Sequence, residues 1–331
     1  MSRPLVIGHR GASGHRPEHS RSAYELALAS GVDAVEPDVV ISRDGVLVVR
    51  HENEISGTTD VADRPEFAER RTTKTIDGVE WTGWFVEDFT WEELSTLRCR
   101  ERLPALRPGS AAHDDRDPVL RLRDVLDLVR VSGGGRVGVV LEIKHATFFA
   151  DIGWDVAALV AAELAVAGWR EGALPLTVES FEQTVLADVR AQGVVASFVY
   201  LLEASGSPAD LVARDGADAP TYASVATPDG LDALVGAVDG ISVPKRMLLA
   251  PDALGRATDR SRIIPDAHDR GLSVFTWTCR PENAFLIPQF RSGLGRAAHG
   301  DWRSEWMLLR DAGVDGVFVD HPDLGVSLFH S

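Results

Sequence analysis

Cysteine is nearly absent: the 331 residues carry two, Cys99 and Cys279, in unrelated segments. A disulfide framework is therefore not expected, and neither thiol has a companion at metal-ligand spacing, so both read as reduced residues of the core or surface. No run of 18 or more apolar residues occurs, which leaves nothing to cross a bilayer as a helix and argues against stable membrane insertion. The opening MSRPLVIGHRG lacks the apolar core and the small-residue cleavage site of a secretory leader, so a cytoplasmic location is expected. Basic residues are outnumbered, 34 against 50 acidic, for a formal net charge of −16. A general nucleic-acid binder displaces counterions with basic surface, so this balance argues against one. An anionic small-molecule substrate would have to find its positive charge in a local pocket.

What is present suits a globular α/β protein. Hydrophobic residues make up 44% and charged residues 25%. Short Val- and Ile-rich runs alternate with helical patterns, the order that builds βαβ units and a parallel sheet. Strands are read near 5–9, 34–41, 46–51, 137–144, 174–180, 196–202, 239–243, 272–278 and 315–319, with helices over 19–31, 154–169 and 180–193. Eight or nine strands with interleaved helices suit a closed TIM (β/α)8 barrel better than an open doubly wound sheet, and one such domain accommodates all of residues 1–331. One stretch breaks the rhythm: from about 52 to 118 the chain is polar, aromatic and irregular. A loop this long inside a compact domain reads as a functional lid or a small inserted subdomain, here after the second βα region. Trp81, Trp84, Phe85 and Phe89 either line that lid or, the better reading, form the insertion's own core.

Residues two apart in a strand share a face, so VEPDVV sets Glu36 beside Asp38, and LEIKH sets Glu142 beside Lys144. The first strand ends at His9 and Arg10 and the strand VLVVRH ends at His51, so these charges gather where strands finish, which in a barrel is where catalytic groups collect. Glu36, Asp38 and Glu142 converging on one point would repel one another unless a cation lay between them. Oxygen donors without cysteine favour Ca²⁺ or Mg²⁺, admit Mn²⁺ and disfavour Zn²⁺. That ion with Arg10 and Lys144 would supply the positive pocket, suited to a phosphate bearing one negative charge. His9 and His51 would then act as a proton-taking and proton-giving pair, since imidazole titrates near neutrality. Any one of these pairs alone is more often structural than functional; their shared position at strand ends is what points to a site.

The ordered set His9-Arg10-Gly11, Pro17-Glu18-His19-Ser20, Glu36-Pro37-Asp38, Asp44-Gly45, His51-Glu52, Glu142-Ile143-Lys144 and the terminal GVDGVFVDHPD resembles the glycerophosphodiester phosphodiesterase family, from residue 5 to about 325. The resemblance implies a TIM barrel with a small insertion, and a metal-dependent hydrolysis of glycerophosphodiesters, such as glycerophosphocholine, to glycerol 3-phosphate and an alcohol. It implies Glu36, Asp38 and Glu142 as metal ligands, His9 and His51 as the acid/base pair, and Arg10 and Lys144 as phosphate contacts. Many relatives read P-E-N-T where this chain has Pro17-Glu18-His19-Ser20, and the long insertion is more like a calcium-associated bacterial branch, which tilts the metal toward Ca²⁺. Glu52 stands where the family has aspartate, so a contact that orients the loop or His51 is expected to differ. Rival readings are a phospholipase D-like enzyme acting on lysophospholipids and a non-catalytic barrel that binds phosphodiesters. Among the remaining residues, Gly11 and Gly14 would let the backbone turn around the phosphate and Glu18 would hold Arg10 or a neighbouring loop. His15 and Arg16 read as solvated loop surface and His19 as a cap or packing residue at a helix start. Trp277 would wall off the glycerol or alcohol group or, about as often for an aromatic at a barrel rim, pack in the core; Glu179 and Ser180 would reach the site through water, and Asp320 and His321 read as structural.

Overall fold

The computed structural model describes residues 3–249, 257 and 261–331. Eight parallel staves close into a barrel. In chain order they begin with β1 (Leu5–His9) and a broken stave made of β2 (Ala34–Glu36) and β3 (Asp38–Ile41). An excursion follows that holds β4 (Leu47–Val49), β5 (Thr72–Ile76) and β6 (Val79–Gly83). The ring resumes with β7 (Gly138–Ile143), β8 (Leu176–Ser180), β9 (Ser197–Leu201), β10 (Gly240–Pro244), β11 (Ser273–Cys279) and β12 (Gly316–Val319). Each stave pairs with the next, β12 returns to β1, and β2 meets β7 to shut the ring. Both faces of these strands are covered, which is why β7 is buried at every residue and reads as an unbroken apolar run up to Glu142.

Two differences from the sequence expectation shape the site. The run 34–41 is two strands rather than one, because Pro37 has no N–H for the ladder; its carbonyl still accepts from the Glu142 amide at 2.9 Å. The run 46–51 is not a stave: β4 lies antiparallel to β3, with Val39 opposite Val49, and carries the chain back to the barrel rim, where the Arg50 amide reaches the Asp38 carbonyl at 3.1 Å. The tight return depends on Gly45, whose φ of +79° and a would-be Cβ only 2.8 Å from the Trp154 ring leave no room for a side chain.

The core has two layers. Ile7, Ala34, Val140, Val199, Phe275 and Phe318 fill the barrel beneath the mouth, and a larger shell packs the staves against the surrounding helices. Each buried valine, leucine, isoleucine or phenylalanine among them contributes about 1.5–3 kcal/mol. The helix Arg21–Ala29 starts where the Ser20 hydroxyl accepts from the Ala23 amide and stops at Gly31, φ +83°. Helix Val156–Ala167 is likewise capped by Asp155 and ended by Gly168 at φ +77°. The third helix spans Gln183–Ala191 and starts later than expected, because Ser180 still belongs to β8. In the insertion, Trp84, Phe85 and Phe89 are buried: the Phe67 and Phe89 rings meet edge-on at 5.1 Å and the Trp84 indole donates to the Phe67 carbonyl. Trp81 does not join them and stays 41% exposed on β6.

Candidate active site

A cavity of about 490 Å³ opens at the carboxyl ends of the staves. Its floor is acidic. Glu36, Glu142 and Glu179, from β2, β7 and β8, each bring one oxygen within 4.8 Å of the other two, and all three are buried. Among the described residues, Oε1 of Glu36 and Oε2 of Glu179 have no hydrogen-bond partner. Burial, and next the neighbouring carboxylates, push Glu36 and Glu179 well above the ordinary carboxylate range, and burial pushes Glu142 to about 8 despite Lys144. Orphaned buried oxygens and mutually repelling acids are the donor chemistry a divalent cation satisfies, so the residues present fit a metal ion.

Of the three expected ligands, Glu36 and Glu142 are in this group, whereas Asp38 stands beside it. Its register partner across the sheet is Glu142. Oδ2 of Asp38 accepts from the His19 ring at 2.8 Å and lies 3.4 Å from Arg10 Nε, while Oδ1 has no hydrogen-bond partner among the described residues and lies 3.7 Å from Lys144 Nζ. Glu179, expected to act through water, instead occupies the third corner. Ser180 is structural: its hydroxyl donates to the Ile143 carbonyl at 2.8 Å. His19 packs at the helix start as expected, bonding Tyr24 Oη at 2.8 Å, and in addition holds Asp38.

Each expected catalytic histidine has a carboxylate on Nδ1. His9 contacts Asp320 Oδ1 at 2.7 Å and His51 contacts Glu52 Oε1 at 2.6 Å. Asp320 and Glu52 are both held well below the usual carboxylate range in spite of burial, Asp320 chiefly by Arg280 and Arg107 and Glu52 by His51 and Arg102. An ionised carboxylate only accepts, so Nδ1 carries the hydrogen in both rings and Nε2 is left for chemistry. Burial and the Arg10 charge lower His9 to about 4; burial, Arg10 and Lys144 lower His51 to about 3. Lys144 Nζ bridges Glu142 at 2.7 Å and His51 Nε2 at 3.1 Å. Arg10 is placed by its left-handed backbone, φ +56°, with its amide on Glu36 Oε2 at 2.7 Å and its guanidinium on Glu18 at 3.1 Å, the partner expected for it. The half-buried Trp277 lines the cavity as expected, its ring edge-on to Phe181 at 5.9 Å.

Sequence reasoning missed Asp320, taken as structural, and gave Arg102 and Arg107 no role. Arg107 Nη2 reaches Asp320 Oδ2 at 2.6 Å, as does Arg280 Nε. Arg102 forks onto Glu52 at 2.8 and 2.6 Å and onto Glu18 at 2.8 and 2.6 Å. His15 and Arg16 are half-buried rather than solvated, and His15 contacts Asp323 at 2.8 Å.

Residues 9–324 match the sequence model of the Glycerophosphoryl diester phosphodiesterase family. A glycerophosphodiester phosphodiesterase from Arabidopsis thaliana is 30% identical over 341 residues, covering 96% of this chain and 84% of its own length. One from Treponema pallidum is 25% identical over 350 residues, covering 98% and 91%. Among solved structures, a putative glycerophosphoryl diester phosphodiesterase from Silicibacter pomeroyi superposes with a TM-score of 0.68 at 23% identity, over 99% of this chain and 94% of that one. An Oleispira antarctica phosphodiesterase in complex with the product sn-glycerol-3-phosphate gives 0.65 at 20% identity, over 99% and 98%. At those identities the two structures speak for the barrel alone.

Proposed function

Given that the chain belongs to the glycerophosphoryl diester phosphodiesterase family, we infer how its own residues carry the family's reaction. It is a metal-dependent enzyme that hydrolyses glycerophosphodiesters to glycerol 3-phosphate and an alcohol. The observation that carries the reading is the meeting, in one cavity, of three buried carboxylates, two of them with an oxygen unsatisfied among the described residues, and two imidazoles each held by its own carboxylate.

Glu36, Glu142 and Glu179 would hold the ion, with Asp38 Oδ1 as a further oxygen beside them. An all-oxygen set of this density suits Ca²⁺, which takes six to eight oxygen ligands, and calcium is our assignment; Mg²⁺ and Mn²⁺ are the alternatives the test must separate. Once bound, the ion would polarise the phosphoryl oxygens and offset charge that builds during attack. Arg10, a buried guanidinium lining the cavity, supplies fixed positive charge at the phosphate. Lys144 adds a second cation and keeps His51 Nε2 in contact with a proton source. His9 Nε2 takes the proton of the attacking oxygen, and the leaving oxygen receives its proton through His51 Nε2 from Lys144 Nζ, 3.1 Å away. Trp277 and Phe181 close one side of the cavity around the organic group of the diester.

The test is hydrolysis of glycerophosphocholine by chelator-stripped protein with Ca²⁺, Mg²⁺ or Mn²⁺ added back, alongside a lysophospholipid. The reading expects glycerol 3-phosphate, restored best by calcium, and little head-group release from the lysophospholipid. Faster turnover of the lysophospholipid would move the substrate class.

A further inference from the structure

The two catalytic imidazoles are 42 residues apart in the chain, yet the same short loop secures both. Residues 100–107 lie inside the insertion, outside every stave. From this loop Arg102 reaches the carboxylate behind His51, and Arg107 reaches the carboxylate behind His9. We propose that Arg102 and Arg107 are positioning residues for catalysis: through Glu52 and Asp320 these two side chains of the insertion set the tautomer and direction of both imidazoles. This rests on the phosphodiesterase reading.

The geometry is specific. Arg107 is buried, and its three nitrogens serve three acceptors at once: Nε donates to Glu282 at 2.7 Å, Nη1 to the Ser13 carbonyl at 3.1 Å and Nη2 to Asp320 at 2.6 Å. Asp320 therefore has one oxygen committed to arginines and the other left for His9. Arg102 grips Glu18 with one side of its fork and Glu52 with the other, and Glu18 also accepts from Arg10. One guanidinium thus ties the phosphate-binding arginine to the carboxylate that orients His51. A lysine would keep the charge at either position but cannot span these acceptors, because it lacks the planar fork. Arg100, in the same loop, makes ion pairs of similar length with Asp63 and Asp115, but among the described residues neither acid has a hydrogen bond or ion pair to an imidazole.

The experiment compares Arg102→Lys, Arg107→Lys and the control Arg100→Lys in the full chain. It follows steady-state kinetics on glycerophosphocholine, long-range ¹H–¹⁵N spectra of the imidazoles, and the melting temperature. The proposal expects kcat to fall about 10- to 100-fold in each of the first two variants, with KM within about threefold. The Nδ1–H pattern of His51 should be lost in Arg102→Lys and that of His9 in Arg107→Lys. Arg100→Lys should move neither kcat nor spectra. Arg107→Lys combined with Asp320→Asn should be no slower than Asp320→Asn alone, since both act through one imidazole. Unchanged kcat with unchanged spectra in the first two variants would overturn the proposal, and so would a loss that multiplies on top of Asp320→Asn. Should Arg107→Lys fail to fold, Arg102→Lys at its partly exposed site carries the same test. Imidazole spectra that respond as stated in a wild-type protein without turnover on any glycerophosphodiester would leave the positioning intact and defeat the phosphodiesterase reading instead.

Discussion

Asp320→Asn is a one-atom change whose effect can be followed donor by donor. Oδ2 of Asp320 accepts from Arg107 Nη2 and from Arg280 Nε, both at 2.6 Å, and Oδ1 accepts from His9 Nδ1 at 2.7 Å. Both arginines can only donate, so the asparagine must turn its carbonyl oxygen to them and its NH₂ to His9. Two donors would then face each other unless His9 moves its hydrogen to Nε2, the atom needed to accept a proton. Wrong-tautomer imidazoles of this kind cost about 1,000- to 10,000-fold in turnover, equivalent to about 4–5.5 kcal/mol of transition-state stabilisation at about 1.4 kcal/mol per tenfold. Asp320 is 1% exposed, so removing its charge also weakens the pairing of the buried Arg107, which keeps Glu282, and of the half-buried Arg280, worth about 1–3 kcal/mol of stability. Stopped-time assays on glycerophosphocholine, with calorimetric melting as the folding control, should show kcat reduced by three to four decades and KM almost unmoved. A folded Asp320→Asn protein within tenfold of wild-type kcat would refute the dyad.

Three further outcomes follow from the same geometry. Glu179→Gln should weaken Ca²⁺ binding at least tenfold by titration calorimetry, with little change in circular dichroism, because it neutralises one corner of the carboxylate group; unchanged affinity would remove Glu179 from the ligand set. Glu142, buried and pushed to about 8 from an ordinary value of 4.5, keeps a proton in the metal-free fold that the unfolded chain has already released. Its contribution to stability is therefore present below about pH 4.5 and lost as pH rises through 8, by up to about 1.4 kcal/mol per pH unit. Calcium engages the ionised form, so the rise in melting temperature on adding Ca²⁺ should be larger at pH 8 than at pH 5.5; an equal or smaller rise at pH 8 would contradict that assignment. Gly45→Ala should destabilise by about 1–3 kcal/mol in urea unfolding, since its Cβ meets the Trp154 ring at 2.8 Å in a left-handed turn.

Short-range rules were enough for what lies on single elements. Glu36 and Asp38, or Glu142 and Lys144, are two apart in the sequence, and that spacing alone points to the mouth of the barrel, although the first pair falls on two strands and Lys144 lies just past the end of β7. The alternation of strand and helix likewise made the barrel legible. What escaped were partnerships that only the closed ring creates. His9 and Asp320 are 311 residues apart and Arg107 and Asp320 are 213, and no periodicity in either segment announces the other. Glu179 was legible as the end of a strand, but the sequence could not show that closing the ring would bring its oxygen to those of Glu36 and Glu142. The run 46–51 has the pattern of a stave because a strand folded back on the rim buries the same residues as one inside the ring; only its antiparallel pairing with β3 sets it apart.

The central claim is that acids from β2, β7 and β8 hold one divalent ion without which the imidazoles cannot turn substrate over. The most direct measurement is a titration of chelator-stripped protein with Ca²⁺, recording bound ion by equilibrium dialysis and glycerophosphocholine hydrolysis on the same samples. Activity should rise in step with occupancy and level off at one ion per chain; full turnover in the stripped protein, or activity that ignores occupancy, would contradict the account.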